Sequence, residues 1–315
     1  MQDAFGRTID YARISLTQRC NLRCTYCRPE DAKDRKQAEW TREQLAVLFA
    51  ALADMQFRKI RFTGGEPSLR SDLETIVAMA RDQGVFSDIA MTSNGQQLAQ
   101  RLPGLQKAGL MRLNLSLDTC RTQRYYELTG GGDIEQVYEA MDVALSLGMP
   151  VKINALLMRN WSEQEIDALM ALAKDRPVQV RFIERMPFGP HAQVAPVLTQ
   201  EEVVKQRPAL VMQTTDQTPG QSVQVYRMDG YKGTIGFISP MSHCFCMHCN
   251  RLRFTSDAAC RPCLGDPKQI SLSHALAQGV EETVRLLQQA VMQKPAKNRF
   301  AERFTDEQGM HHIGG

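Results

Sequence analysis

At 315 residues, with 43% apolar and 23% charged positions, the chain has room for one large barrel-type domain or two ordinary ones, with a core that needs no covalent staples. A net charge of +3 and a pI near 8.4 are too mild to argue for a nucleic-acid partner, although a local basic pocket for an anionic small molecule stays open. The first residues lack the apolar core of a secretory signal and no apolar run reaches bilayer-spanning length, so a cytoplasmic chain without a membrane partner is expected.

Six strands are predicted in chain order: ARISLT (12–17), KIRFT (59–63), DIAMT (88–92), RLNLSL (112–117), VKINAL (151–156) and VQVRFI (178–183). Each is short, rich in Val, Ile, Leu and Phe, and closed by turn residues. Helical periodicity fills the gaps. One helix is expected to begin after Thr41, with Gln44 as its capping-box partner and Leu45, Leu48, Phe49, Leu52 and Met55 on one buried stripe. Another is expected over 133–148, closed by Gly148. Strands alternating with helices imply parallel pairing through right-handed crossovers, in a doubly wound sheet or a partial barrel. The polar words CNLRCTYC, GGEP, SNG, DT and ERMP all follow strands, at the end where such folds build active sites. Beyond about residue 195 the style changes. Residues 219–240 alternate and turn at glycine like a hairpin or short meander, and a cysteine-rich stretch follows at 243–264.

Eight of the nine cysteines fall in these two tight groups, which in a reducing compartment argues for metal rather than disulfides. Cys20, Cys24 and Cys27 give three thiolates, one short of a closed structural zinc site. Three thiolates on a four-iron cube would leave one iron open to a ligand. The alternative is zinc completed by a remote residue, although the x3, x2 spacing is not that of a zinc knuckle. Cys246, Cys249 and Cys263 form a second set of three. Cys244 and Cys260 are additional, each an inert small apolar group or a competing ligand, and Cys120 reads as a packed thiol. His243, His248, His311 and His312 invite a metal reading that the cysteines make unnecessary.

The spacing Cys20-x3-Cys24-x2-Cys27, with Tyr26 before the last cysteine and GGEP after the next strand, resembles the radical S-adenosylmethionine (SAM) superfamily. That resemblance implies a partial (β/α)6 barrel whose N-terminal [4Fe-4S] cluster binds SAM and reduces it to a 5′-deoxyadenosyl radical. The words RISLTQRCNLRCTYCRP, KIRFTGGEPSLR, LNLSLDT, VKINA, FIERMPFG, CNRLR and a terminal GG, in that order across the whole chain, resemble the GTP 3′,8-cyclase family of molybdenum-cofactor biosynthesis. The implied division is a barrel over 1–195 and a C-terminal region over 196–315 carrying a second [4Fe-4S] cluster. By motif position the resemblance assigns Tyr26, Gly64, Gly65, Glu66, Ser116 and Met186 to SAM. It assigns Arg13, Arg61, Thr92, Lys152, Arg251 and Arg253 to GTP, and makes Gly314 and Gly315 a catalytic tail.

The implied reaction abstracts the ribose 3′ hydrogen of GTP and joins C3′ to guanine C8. Implied partners are an external one-electron reductant of flavodoxin or ferredoxin type and a cyclic pyranopterin synthase acting downstream; a homodimer is admitted. Physically, guanidinium groups suit phosphate, and Arg13, Arg61 and Lys152 stand inside strand words. Gly64 and Gly65 suit a close backbone approach to a ligand. Gly131 stands where the family's pattern has an arginine. Two other readings are a peptide-modifying radical SAM enzyme with an auxiliary cluster and a zinc-ribbon interaction module fused to an α/β domain.

Overall fold

In the computed structural model of the chain, which describes residues 1–27, 39–158, 161–187, 198–213, 222–300 and Ile313, all six expected strands form. They are β1 (Tyr11–Ser15), β2 (Lys59–Thr63), β3 (Asp88–Ser93), β4 (Arg112–Ser116), β5 (Val151–Leu157) and β6 (Gln179–Glu184). Each pairs in parallel with the next. The crossovers carry α1 (Arg42–Asp54), α2 (Leu73–Arg81), α3 (Leu102–Ala108), α4 (Thr122–Thr129), α5 (Ile134–Ser146) and α6 (Glu163–Asp175).

Helix α1 starts as its sequence predicts. Thr41 Oγ1 accepts from the Gln44 amide at 3.2 Å, and the Gln44 side chain accepts from the Thr41 amide at 3.0 Å. Leu45, Leu48, Phe49 and Leu52 are then fully buried, with the Phe49 ring edge-on to Phe62 of β2. Helix α5 is capped by Asp133, whose carboxylate accepts from the Glu135 amide at 3.0 Å, and the chain leaves it through Gly148 at φ +70°.

The C-terminal third adds α7 (Gln200–Lys205), β7 (Val211–Met212), β8 (Gln224–Arg227), β9 (Thr234–Ile238), β10 (Arg251–Phe254), β11 (Ala259–Arg261), β12 (Ile270–Ser271), α8 (Ser273–Gln278) and α9 (Val280–Met292). Its strands do not build a sheet of their own. β9 lies parallel to β6 and β10 parallel to β1, so one sheet runs β12-β11-β10-β1-β2-β3-β4-β5-β6-β9-β8-β7. The expected hairpin is β8 against β9, with β9 doubling as a barrel edge. The boundary at 195/196 falls within 188–197, outside the described residues.

Period-two alternation sorts the strand residues. Ala12 and Ile14 of β1, Ile60 and Phe62 of β2, and Val151, Ile153 and Ala155 of β5 are buried in the helix-facing core. The intervening Tyr11, Arg13, Lys59, Arg61, Lys152 and Asn154 line a cavity of about 700 Å³ on the other face. Parallel strands are ordinarily apolar on both faces; here one face is polar because it surrounds a site. Among the described residues no helix is long and apolar enough to cross a membrane.

Candidate active site

The cavity is lined by eighteen of the twenty residues singled out from sequence, from Arg13 to Cys263. The other two, Gly314 and Gly315, lie outside the described residues.

One part of the wall is the loop after β1. Its backbone is held from two sides. Thr17 O accepts from the Gly65 amide at 2.7 Å, and Arg19 O from the Glu66 amide at 2.8 Å. The Arg23 and Thr25 amides donate to Thr129 O and Leu128 O at the end of α4, at 2.8 and 3.0 Å. A Cβ on Gly65 would stand 2.3 Å from Arg19 O, and one on Gly64 would stand 2.6 Å from Thr17 O. The glycines are therefore required for one loop to seat on the other, which differs from the close approach to a ligand expected of them. Gly131, at φ +115°, holds a left-handed conformation that an arginine there would adopt only with strain.

Glu66 is wholly buried, and its carboxylate accepts from the Ser68 amide, Ser93 Oγ and the Asn94 amide at 3.0, 2.8 and 2.7 Å. It ties the β2 loop to the β3 loop. Burial raises its pKa against those hydrogen bonds. The Asn94 amide group in turn donates to Asn21 at 2.8 Å and reaches Cys20 Sγ at 3.9 Å. Tyr26 donates to Asp118, whose other oxygen accepts from the Leu156 amide at 2.8 Å. Thus Cys20, Cys24 and Cys27 sit on a loop clamped by the polar words that follow β2, β3 and β4.

The second thiol set is framed differently. Arg261, wholly buried, donates to the carbonyls of Cys263, Leu264 and Asp266 and so shapes the Cys263 loop. Buried Lys294 donates to Arg251 O at 2.9 Å and Pro262 O at 2.6 Å, bridging the Cys249 and Cys263 segments. Arg7, paired with Asp3, donates to Cys246 O at 2.9 Å and to Pro295 O at 2.8 Å, buckling the chain's first turn onto the same loop. Burial pushes the Cys249 thiol up, but Lys294 and Arg251 outweigh it and bring it to about 7. Burial holds Cys246 up at about 11 and raises Cys263 and Cys24 as well. Binding iron would draw those protons off, as it does from any thiol ligand.

Among the described residues no three His, Cys, Asp or Glu side chains converge for a single ion, and none of the nine cysteines is in a disulfide. Cysteines serving separate corners of an iron cube need not converge on one point, so the donor set suits a cluster. Of the remaining cysteines, Cys260 is fully buried on β11 and Cys120 is partly buried beside Tyr138, both as packed thiols. Cys244 is exposed. His243 turns to Glu201, while His311 and His312 lie outside the described residues.

Between the thiol sets the wall is cationic. Arg253, Arg13 and Arg61 stand side by side across β10, β1 and β2, and the same row continues through Ala90 to Arg112. Ten lysines and arginines line the cavity against three carboxylates, two of which, Glu66 and Asp118, are already engaged as above. The third, Asp88, pairs with Arg112 at 2.6 Å. Like charges on directly opposed strand positions destabilise a sheet. Burial, then Arg251, brings Arg253 down to about 10; burial, then Arg61 and Arg112, brings Arg181 to about 9. Burial raises the Tyr11 phenol, but Arg61, Arg13 and Arg251 outweigh it and leave it at about 8. Buried Arg61 Nε, Thr92 Oγ1, Thr63 Oγ1 and Asn154 Oδ1 have no hydrogen-bond partner among the described residues. Buried polar atoms are rarely left so, and here they belong to residues lining the cationic cavity.

Sequence reasoning missed Arg112, Arg181, Lys294, Arg7, Arg261, Asn94 and Asp118 as individual contributors. The signal for two of them was available. Arg112 and Arg181 sit inside strand words, as Arg13 does.

Lys152 carries a pH consequence. Burial first, then Arg181, Arg112 and Arg61, brings its pKa down to about 7. A bound polyanion favours its charged form, so binding takes up a proton near and above that pH. Calorimetric titration with a nucleoside triphosphate in buffers of different ionisation enthalpy should show net proton uptake at pH 8 and less at pH 6. Lys152→Met should reduce the uptake at pH 8, leaving the part that Tyr11, at about 8, contributes; identical enthalpies in all buffers would refute it.

Comparison with known proteins bears on the fold and the family. A family profile described as the Radical SAM superfamily matches residues 14–173, and one described as Molybdenum Cofactor Synthesis C matches residues 178–300. The chain is 38% identical to the GTP 3′,8-cyclase of Pelotomaculum thermopropionicum, covering 100% of both chains. It is 39% identical to that of Alkaliphilus metalliredigens, over 95% of this chain and 94% of the other. Among solved structures, Streptococcus suis SuiB bound to S-adenosylmethionine superposes with a TM-score of 0.61 at 14% identity. That match covers 85% of this chain and 64% of SuiB, a likeness of fold.

Proposed function

The chain belongs to the GTP 3′,8-cyclase family of radical SAM enzymes, and from that premise we propose which residues convert GTP to (8S)-3′,8-cyclo-7,8-dihydroguanosine 5′-triphosphate, the first step of molybdenum cofactor biosynthesis. Membership brings SAM and one [4Fe-4S] cluster, for which Cys20, Cys24 and Cys27 are the thiolates. When bound, cluster and SAM together supply a 5′-deoxyadenosyl radical, the hydrogen-abstracting agent of this superfamily. The chain's own part is to bind, orient and exclude water. Tyr26 is fixed by Asp118, and Gly64, Gly65 and Glu66 seat the thiol loop. Ser116 and Met186 complete that wall for SAM.

The finer assignments are a second [4Fe-4S] cluster on Cys246, Cys249 and Cys263, and a triphosphate held by Arg13, Arg61, Lys152, Arg251 and Arg253, with Thr92 as a further contact. The observation that carries them is the arginine row Arg253–Arg13–Arg61 opening into the cavity that also contains both thiol sets. A one-electron donor of flavodoxin or ferredoxin type, a cyclic pyranopterin synthase taking the product onward, a cytoplasmic location and a homodimer complete the proposal.

The test is anaerobic incubation with SAM, reductant and each nucleoside triphosphate in turn. GTP alone should give a cyclised product with matching deoxyadenosine; equal turnover of another nucleotide would sink the substrate assignment. Arg253→Ala removes a charge-assisted phosphate contact worth about 1.5–3 kcal/mol. GTP affinity should fall at least about tenfold while SAM affinity holds. Unchanged GTP affinity would place the phosphates elsewhere.

A further inference from the structure

Cys244 belongs to neither set of three, yet it stands at the second one. The Asn298 side-chain amide reaches Cys244 Sγ at 3.6 Å and Cys246 Sγ at 3.4 Å, and the Asn298 backbone amide reaches Cys246 Sγ at 3.3 Å. One asparagine thus holds two thiols side by side. Cys244 is exposed, whereas Cys246 is partly buried. Cys249, the next thiol along, lies against the Lys294 ammonium.

We propose that Cys244 and Cys246 form a reversible disulfide when the second site is without iron, so that Cys244 takes the oxidant first and protects a cluster ligand. The oxidant is a hydroperoxide. The exposed Cys244 thiolate attacks the peroxide oxygen, giving a sulfenic acid and releasing water. Cys246 sulfur then displaces the sulfenic hydroxyl, which leaves as a second water. Two thiols lose two protons and two electrons, and one hydrogen peroxide becomes two waters. Without Cys244, a sulfenic acid at Cys246 has no adjacent thiol at that asparagine, and a second equivalent of peroxide takes it to sulfinic acid with release of another water, a change that thiol reductants do not reverse. Pairing requires only the two thiols; the benefit to the cluster rests on the second-cluster reading given above.

The experiment uses the full chain stripped of iron by a chelator under anaerobic conditions. It is treated with one equivalent of hydrogen peroxide and alkylated. Trypsin releases residues 233–251 with Cys244, Cys246 and Cys249 on one peptide. Further cleavage after Phe245 and after Met247 separates the three. The expected product joins the Cys244 and Cys246 fragments, leaves Cys249 alkylated, and opens with dithiothreitol. A Cys246–Cys249 bridge, or three alkylated thiols, would overturn the proposal. A second arm treats the stripped protein with three equivalents of hydrogen peroxide, then reduces and reconstitutes it. Wild type should regain about four more irons than Cys244→Ser, whose Cys246 should carry two added oxygens by mass. Equal recovery with Cys246 unmodified in Cys244→Ser would show that Cys244 protects nothing. A mapped disulfide, with Cys246 oxidised in Cys244→Ser yet no iron difference, would keep the pairing and remove the second-cluster reading, so the two failures are distinguishable.

Discussion

Replacing Cys20, Cys24 and Cys27 together by alanine is expected to abolish SAM cleavage and to halve the iron of reconstituted protein, from about eight atoms per chain to about four. The loss should be complete because, on the assignment proposed above, these three thiolates hold the reducing centre. The variant should still fold. The loop is fixed through backbone bonds from Gly65, Glu66, Arg23 and Thr25, none of which uses a thiol. A melting temperature near that of the iron-free wild type checks this. Gly65→Ala makes the contrast. Its new methyl would press on Arg19 O from 2.3 Å, so it should lose the same iron by unseating the loop, with a lowered melting temperature. Deoxyadenosine formed by the triple alanine variant above the no-enzyme background would refute the assignment of the N-terminal site.

The barrel was legible because its signals are local. β2 matches its predicted word at both ends, and the other five strands differ by a residue or two, since short apolar runs between glycine and proline turns leave little choice of register. The Thr41–Gln44 capping box is likewise written within four residues. The placement of β9 and β10 was not legible. Each extends a parallel edge formed by strands far away in the chain, and nothing in a short window specifies a partner so distant. The same holds for the site. Thiol spacing and strand-embedded cations are sequence patterns, but the Arg253–Arg13–Arg61 row exists only through the β10–β1–β2 register. Glu66 reads as a ligand contact in the motif. In the fold its carboxylate is committed to the β3 loop, which makes it a positioning group first. Lys294 and Arg7 carry no signal at all, because a basic residue near a terminus ordinarily reads as a solvated charge.

Ile313→Ala is expected to lower cyclised product at least about tenfold while leaving both thiol sites and GTP affinity near wild type. Ile313 is fully buried and joins Phe300 in a small apolar cluster, against which Met186 and Leu264 are packed. Met186, Leu264 and Phe300 all line the active-site cavity, so Ile313 is anchored at the cavity wall. Removing a buried isoleucine side chain to the β-carbon costs about 2–5 kcal/mol. This cluster stands apart from the main core, so the cost falls on tail docking rather than on the barrel. At about 1.4 kcal/mol per tenfold, the ratio of docked to undocked residue 313 would fall by more than about tenfold. If Gly314 and Gly315 reach the nucleotide as proposed, that population sets the rate of hydrogen abstraction at C3′. Gly315→Ala and a C-terminal extension should then reproduce the defect without touching the anchor. Following product and deoxyadenosine separately with 3′-deuterated GTP is the decisive assay. The Ile313 variant should make little cyclised product and transfer little deuterium into deoxyadenosine. Wild-type yield and deuterium transfer in all three variants would mean that the anchored end has no part in the chemistry.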